Sequence, residues 1–310
     1  MKKTYLVVTL LILAIFISGC SIQSTNKSPN TGSVVKEVEE ITSLKMGLIP
    51  ADDAEEMLKN YEPIRTYLEE EMGMPVEILV TTDYSAAIEA MRAGHIDMAW
   101  FGPFSYVIAS NIAEAQAIVN GVKSSTGSST YKSVIVVNVE SGIETLEDLK
   151  GEKFAFVDPA STSGNLIPRK MLLENGIDPD EDFEEIIYSG THNAVQYAIA
   201  NGHINAGATG DNVYYRMIEE GEIDPEINKI IYESEPIPGS PIAVRGDLPE
   251  SIKLAIQNAL LNMNEQTIHK VDGWGGISNY QKVTDSDYDV IRTTAKLLGM
   301  DVTSPEAANK

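Results

Sequence analysis

What most limits how this chain can fold is the alternation of short apolar runs with stretches of helical spacing. Residues 44–49 are apolar and stop at Pro50, while residues 54–71 place Met57, Leu58, Tyr61, Ile64 and Leu68 on one helical face. Strand patterns at 76–80, 96–101 and 117–119 then alternate with helical ones at 84–93, closed by Gly94, and at 104–113. A parallel sheet flanked by helices satisfies that order most simply. After a polar loop at 124–130 comes a strand at 131–137, and a second series begins: 145–149, 154–157, 166–175, 185–188, 192–201, 205–208, 213–220 and 229–232. The tail adds a strand at 242–244 and helices at 252–263 and 288–298. Two such series and a return segment predict an α/β protein of two lobes. Residues 131–137 and 234–244 are the expected crossing strands. Lobe 1 is then residues 44–132 plus 240–310, and lobe 2 residues 133–239.

The first 43 residues read differently. Lys2 and Lys3 precede an apolar run from Tyr5 to Ile17, followed by Ser18-Gly19-Cys20. A basic start, a short apolar stretch and small residues form the layout of a secretory signal, here residues 1–19. The run falls short of the about 20 residues a membrane span needs. Cys20 is the sole cysteine, so no disulfide or cysteine cluster is available. It can be read as a buried thiol or as a lipidation site, and its place just behind a signal favours lipidation. Residues 20–43 are polar and aperiodic, the composition of a flexible tether. Behind it stand roughly 265 residues, enough for two cores.

Charge narrows the partners. The chain holds 46 acidic against 23 basic residues, a net −23, which becomes −25 once Lys2 and Lys3 leave with the signal. Such a body does not attract nucleic acid or an anionic membrane surface. An anionic ligand would have to be held by local dipoles and hydrogen bonds.

One turn offers those. Asp158-Pro159-Ala160-Ser161-Thr162-Ser163-Gly164-Asn165 joins the strand at 154–157 to the helical pattern at 166–175. Backbone N–H groups and the positive end of the helix dipole face outward at such a turn. Ser161, Thr162 and Ser163 add hydroxyl donors, Gly164 allows close approach of a ligand, and Pro168 suits a first helical turn. The stretch is either a cradle for a small oxyanion or an ordinary N-cap. His192, in Gly190-Thr191-His192-Asn193, occupies a second strand-to-helix turn of the same series, along the edge where ligands bind in open α/β sheets. It can donate to an anion and gain charge near neutral pH, giving mildly tighter binding below neutrality, or it can simply cap its own helix. Tyr84 and Tyr131 stand beside polar turns and could close over a small ligand with their hydroxyls. Trp100, Phe101 and Phe104 read as core, and His95 and His203 as exposed helix ends.

Other chemistries find no support. His95, His192, His203 and His269 show no metal-binding spacing, and no nucleophile elbow, P-loop or dinucleotide fingerprint is present. Neither a metal nor a cofactor nor a catalytic residue is expected.

Six segments together resemble the phosphate/phosphite/phosphonate-binding proteins of ABC transporters. They are Asp83-Tyr84-Ser85-Ala86-Ala87-Ile88-Glu89-Ala90-Met91, Ala99-Trp100-Phe101-Gly102-Pro103-Phe104-Ser105-Tyr106, Tyr131-Lys132-Ser133-Val134, residues 158–164, Gly190-Thr191-His192-Asn193-Ala194, and Pro236-Ile237-Pro238-Gly239-Ser240-Pro241-Ile242. The resemblance spans about residues 44–300. It implies the type II periplasmic-binding-protein fold, two Rossmann-like lobes with a hinge, and a lipoprotein anchored through Cys20, since Ile17-Ser18-Gly19-Cys20 is similar to a lipobox. It also implies ligand contacts at Tyr84, Tyr131, Ser161, Thr162, Ser163 and His192. Members that take aminoalkylphosphonates face the amine with two acids. In this chain those positions carry Asn212, within Thr209-Gly210-Asp211-Asn212, and Ser240; Asp211 is adjacent but points elsewhere. The implied function is capture of a small phosphorus oxyanion (phosphite, methylphosphonate or a related phosphonate, and phosphate as a further candidate) for delivery to a permease and its ATPase. Two other readings are an extracellular sensor, disfavoured because no signalling domain follows, and an enzyme on a small phosphorylated compound, disfavoured because no nucleophile–base pair is visible.

Overall fold

The structure, a computed structural model, describes residues 41–124, 126–263 and 276–303. The predicted βα alternation resolves into two sheets. The first is built on β1 (Leu44–Leu48), β2 (Val76–Val80), β3 (Met98–Trp100), β4 (Gln116–Lys123), β12 (Pro241–Val244) and β13 (Ile277–Lys282), in the spatial order β13-β4-β12-β3-β1-β2. β1 runs parallel to β2 and β3, whereas β12 is antiparallel to both β3 and β4. The second sheet comprises β6 (Ser133–Asn138), β7 (Lys153–Phe156), β8 (Glu185–Tyr188), β9 (Ala206–Gly210) and β10 (Asn228–Glu233), in the order β10-β6-β9-β7-β8. Its parallel core is β8-β7-β9, and β6 is the antiparallel insert. The two sheets thus repeat one plan. In each, the antiparallel strand is the first one laid down after the chain crosses over.

Helices form where caps and apolar spacing agree. In α1 (Ala54–Met72) the Asp53 carboxylate accepts from the Glu55 and Glu56 N–H groups, Gly73 ends the helix at φ 63°, and Met57, Tyr61, Ile64 and Leu68 are buried. α2 (Tyr84–Arg92) is capped by Asp83, and α3 (Pro103–Ile112) begins at Pro103. On the second sheet lie α4 (Ile167–Glu174), the single turn α5 (Pro179–Asp182), α6 (His192–Ala200) and α7 (Asp211–Glu219). α8 (Glu250–Leu261) and α9 (Asp289–Leu297) return to the first sheet, where the Tyr106 hydroxyl donates to Asp285 at 2.7 Å and the Tyr106 and Tyr288 rings meet edge-on.

Both predicted crossing strands are broken in two. β5 (Thr130–Tyr131) pairs with β11 (Ile237–Pro238) in a two-stranded ladder of its own, and β6 and β12 resume after it. Gly239 is required there, because a Cβ would collide with the Ser129 carbonyl oxygen of the other crossing segment. Residues 145–149 form no strand. The Asp148 carboxylate takes the Glu144 and Thr145 N–H groups and the Thr145 hydroxyl, and the chain turns in a 3₁₀ step instead. No helix among the described residues is long and apolar enough to cross a membrane. The signal, the tether and Cys20 lie outside the described residues, as does His269.

Candidate functional site

Between the two sheets, where the crossing ladder joins them, opens a small cavity of about 70 Å³. Tyr84, Tyr131, Ser161, Thr162, Ser163, His192, Asn212 and Ser240 all line it. The sequence-predicted site residues are therefore brought together.

The turn at 161–166 is longer than an ordinary helical turn. Thr162–Leu166 forms a π turn, in which the Leu166 N–H reaches the Ser161 carbonyl at 3.0 Å before α4 begins. Such a turn splays its first N–H groups apart. Those of Thr162 and Ser163 have no acceptor among the described residues. The hydroxyls are polarised by what they accept. Ser161 Oγ takes the Gly164 N–H at 3.1 Å, and Thr162 Oγ1 takes the Phe104 N–H at 2.8 Å. An N–H can only donate, so both O–H groups are left to donate in turn. Ser163 is held from behind, its carbonyl accepting from the Ser133 hydroxyl at 2.7 Å. Gly164 differs from expectation: it serves packing, because a Cβ there would overlap the Val157 side chain, and it does not line the cavity. Pro168 takes its place in the first turn of α4.

His192 also differs from expectation. It is buried at the start of α6, its Nδ1 2.9 Å from the Thr209 hydroxyl and 3.4 Å from the Gly210 N–H. Because Gly210 N–H donates, Nδ1 accepts and the ring proton belongs on Nε2. Burial, reinforced by the nearby Arg216 charge, lowers the His192 pKa to about 3. The ring is a neutral donor, and the mildly tighter binding expected from its protonation below neutral pH does not follow. The Tyr84 hydroxyl is kept protonated by burial and by the Asp158 charge, against a hydrogen bond to Ser161. Burial does the same for Tyr131, against hydrogen bonds to Ser163 and Thr162. Every donor facing the turn is thus neutral and holds its proton.

Several of these groups also join the two sheets. Thr162 caps α3 of the first sheet, and the His192 N–H donates to the Ala51 carbonyl at 3.0 Å. Asp158 Oδ2 receives the Tyr84 N–H at 3.5 Å. Burial raises the Asp158 pKa to about 6. Beside the cavity, Arg216 forms a buried ion pair with Asp52 and a second pair with Glu220. Burial opposes the Arg216 charge, yet Asp52 and Glu220 outweigh it and raise the pKa.

Sequence reasoning missed Trp100 and Lys123 as cavity-lining residues. Trp100 is buried in the core with Phe101 and Phe104, as expected, and beyond that it also lines the cavity, its ring 6.4 Å from that of Tyr61. Lys123 lines it from the end of β4, a position for which a strand pattern gives no facing signal once the polar loop begins. Asn212 presents a buried carboxamide oxygen with no partner, and Asp211 turns away to accept the Lys132 and Asn212 N–H groups. His95 and His203 are exposed, each closing the end of a helix through its backbone N–H. No cluster able to hold a metal occurs among the described residues.

Known proteins share this sequence and architecture. Residues 46–288 match the family described as ABC transporter, phosphonate, periplasmic substrate-binding protein. The phosphate-import protein PhnD of Mycolicibacterium smegmatis is 32% identical, the match covering 93% of this chain and 94% of that one. The phosphonates-binding periplasmic protein of Escherichia coli is 28% identical, over 76% of this chain and 72% of the other. The structure of PhnD1 from Prochlorococcus marinus in complex with methylphosphonate superposes with a TM-score of 0.75 at 21% identity, covering 83% of this chain and 98% of that one. This chain, an α/β type II periplasmic binding protein, belongs to the family of phosphonate periplasmic substrate-binding proteins of ABC transporters.

Proposed function

We propose that the chain captures a small phosphorus oxyanion in the cavity and delivers it to the permease and ATPase of its transporter. The observation that carries this reading is the Ser161–Ser163 turn, whose hydroxyls are turned into donors by the N–H groups they accept. Around it Tyr84, Tyr131 and the His192 Nε2–H add neutral donors from both sheets. A tetrahedral oxyanion carries several acceptor oxygens and no donor once ionised, which matches that inventory. The relatives named for phosphate and phosphonates support the ligand class. Residues 44–132 plus 240–310 act as lobe 1 and residues 133–239 as lobe 2, hinged at the β5–β11 ladder.

At the substituent end the positions that would face an amine are Asn212 and Ser240. Neither supplies negative charge, and an uncompensated buried ammonium is heavily penalised. Phosphite or methylphosphonate is therefore favoured over 2-aminoethylphosphonate, with phosphate as a further substrate. Calorimetric titration with these four ligands tests the reading: tightest binding of 2-aminoethylphosphonate would refute the account of Asn212 and Ser240, and no binding of any would refute the ligand class.

Cys20 is the proposed membrane anchor, outside the cytoplasm. A single acyl chain binds only marginally, so more than one chain on the cysteine is expected. Cys20→Ser should release the protein from membranes into the soluble fraction; undiminished membrane association would rule the anchor out.

A further inference from the structure

Of the side chains lining the cavity, only Lys123 carries a charge. It is mostly buried, its side chain 17% exposed. An ammonium has three donors, and its charged and aromatic neighbours among the described residues are Asp211 at 3.7 Å and the face of the Tyr131 ring, 5.7 Å to its centroid. The Asp211 distance is longer than a hydrogen bond, and that same carboxylate oxygen already accepts the Lys132 and Asn212 N–H groups at 3.0 and 2.7 Å. Asp211 engages the ammonium from one side and occupies at most one of its three donors. A buried cation with donors to spare is costly, and an anionic group entering the cavity would relieve it.

Its position says which part of a ligand it meets. The Tyr131 hydroxyl hydrogen-bonds Ser163 and Thr162, so that end of the ring marks the oxyanion turn. Lys123 stands over the ring face, in the cavity wall to one side of the turn, and Asn212 and Ser240 line the same cavity. That wall is where a substituent on phosphorus would lie. Two neutral polar side chains and one cation make a surface opposite in sign to an amine pocket.

We propose that Lys123 reads the substituent of the ligand, and that the site is suited to a phosphonate whose carbon substituent carries a carboxylate. This rests on the oxyanion reading above, with the phosphorus end held by residues 161–163. One methylene between phosphorus and carboxylate lets both ends be engaged at once: the phosphonate oxygens by the neutral donors, the carboxylate by the Lys123 ammonium and by the Ser240 hydroxyl. The same ammonium repels an amine-bearing substituent.

Calorimetric titration of the full chain in detergent with phosphonoacetate, methylphosphonate and 2-aminoethylphosphonate tests this, using the wild type, Lys123→Met and Lys123→Arg. A hydrogen bond to a charged group predicts that the wild type binds phosphonoacetate about tenfold or more tighter than methylphosphonate. Lys123→Met should abolish that preference, weakening phosphonoacetate far more than methylphosphonate, and Lys123→Arg should retain it. Equal affinity of the wild type for phosphonoacetate and methylphosphonate would overturn the proposal, whether or not either variant folds. Equal weakening of both ligands by Lys123→Met would also overturn it, assigning the lysine to the phosphorus end or to the hinge. Failure of all three ligands to bind the wild type would instead refute the oxyanion reading on which it rests.

Discussion

Thr162→Val removes one hydroxyl that serves two purposes. Thr162 Oγ1 accepts the Phe104 N–H at 2.8 Å from the first sheet, and its own proton is left for a ligand. When the lobes part, water can take the N–H at the start of α3. The loss is therefore felt only when they close. An orphaned buried N–H costs about 1–3 kcal/mol, and a hydrogen bond to an anion contributes about 1.5–3 kcal/mol. Together they predict a loss of about 2.5–6 kcal/mol, or about 10²- to 10⁴-fold in affinity. Titration calorimetry with methylphosphonate measures it, and thermal melting without ligand separates closure from folding. The ligand-free melting temperature should hardly move, and Thr162→Ser should recover most of the affinity. A loss below about threefold would refute the reasoning, because neither hydrogen bond could then be made in the bound state.

Arg216→Met leaves Asp52 uncompensated in the closed state alone; breaking a buried pair costs about 3–5 kcal/mol, so ligand should dissociate much faster by stopped flow while no cavity-lining residue has changed. Small-angle scattering should show the wild type contracting on ligand addition and this variant contracting less. Gly164→Ala drives a Cβ into the Val157 side chain, against its Cβ as well as a Cγ, and should lower the melting temperature; Val157→Ala in the same chain should not restore it, because the Val157 Cβ remains in the way. His192, its pKa lowered to about 3, should show no imidazole titration by NMR above about pH 5. Between the ordinary 6.5 and about 3 the unfolded chain binds a proton at this position that the folded chain does not. Stability from His192 is therefore complete above pH 6.5 and is lost as the pH falls towards 3, and His192→Gln should flatten that slope.

The sequence disclosed most of what is local. Helix faces such as Met57, Tyr61, Ile64 and Leu68 follow from spacing, and caps such as Asp53 and Asp83 can be named without coordinates. The cavity-lining residues at 161–163 and 192 were legible because each sits at a strand-to-helix turn, and Tyr84 and Tyr131 because each stands beside a polar turn, with the family resemblance adding to both readings. What stayed hidden depends on contacts between distant segments. The Thr162 bond to the Phe104 N–H spans 58 residues and the Arg216 pair with Asp52 spans 164, and no periodicity encodes either. β13 escaped because Ile277–Lys282 alternates weakly at a sheet edge. Gly164 looked like a ligand-facing glycine because sequence shows that a side chain is missing but not which neighbour excludes it. The sign of the His192 shift was missed for a related reason: a turn predicts a position, while burial decides the charge.

A chain of net charge −23 that holds an anion needs a source of attraction that survives the global field. Fixed neutral donors supply it, because their dipoles act at contact distance while the surface carboxylates are screened within about 10 Å at moderate salt. Neutral donors have a second consequence. The three site residues that bridge the sheets, Tyr84, Thr162 and His192, do so through N–H groups or hydroxyls that hold their protons across physiological pH. Closure through them requires no titration and no counter-ion. Asp158 is the exception, its pKa raised to about 6 by burial beside Tyr84. With a raised pKa the folded protein binds a proton that the unfolded chain gives up, so this contribution is fully present below the ordinary carboxylate range and is lost as the pH rises through about 6. Protonation there also removes the negative charge adjoining the oxyanion turn. Towards acid, Asp158 therefore adds to folding stability while His192, its pKa lowered, subtracts from it.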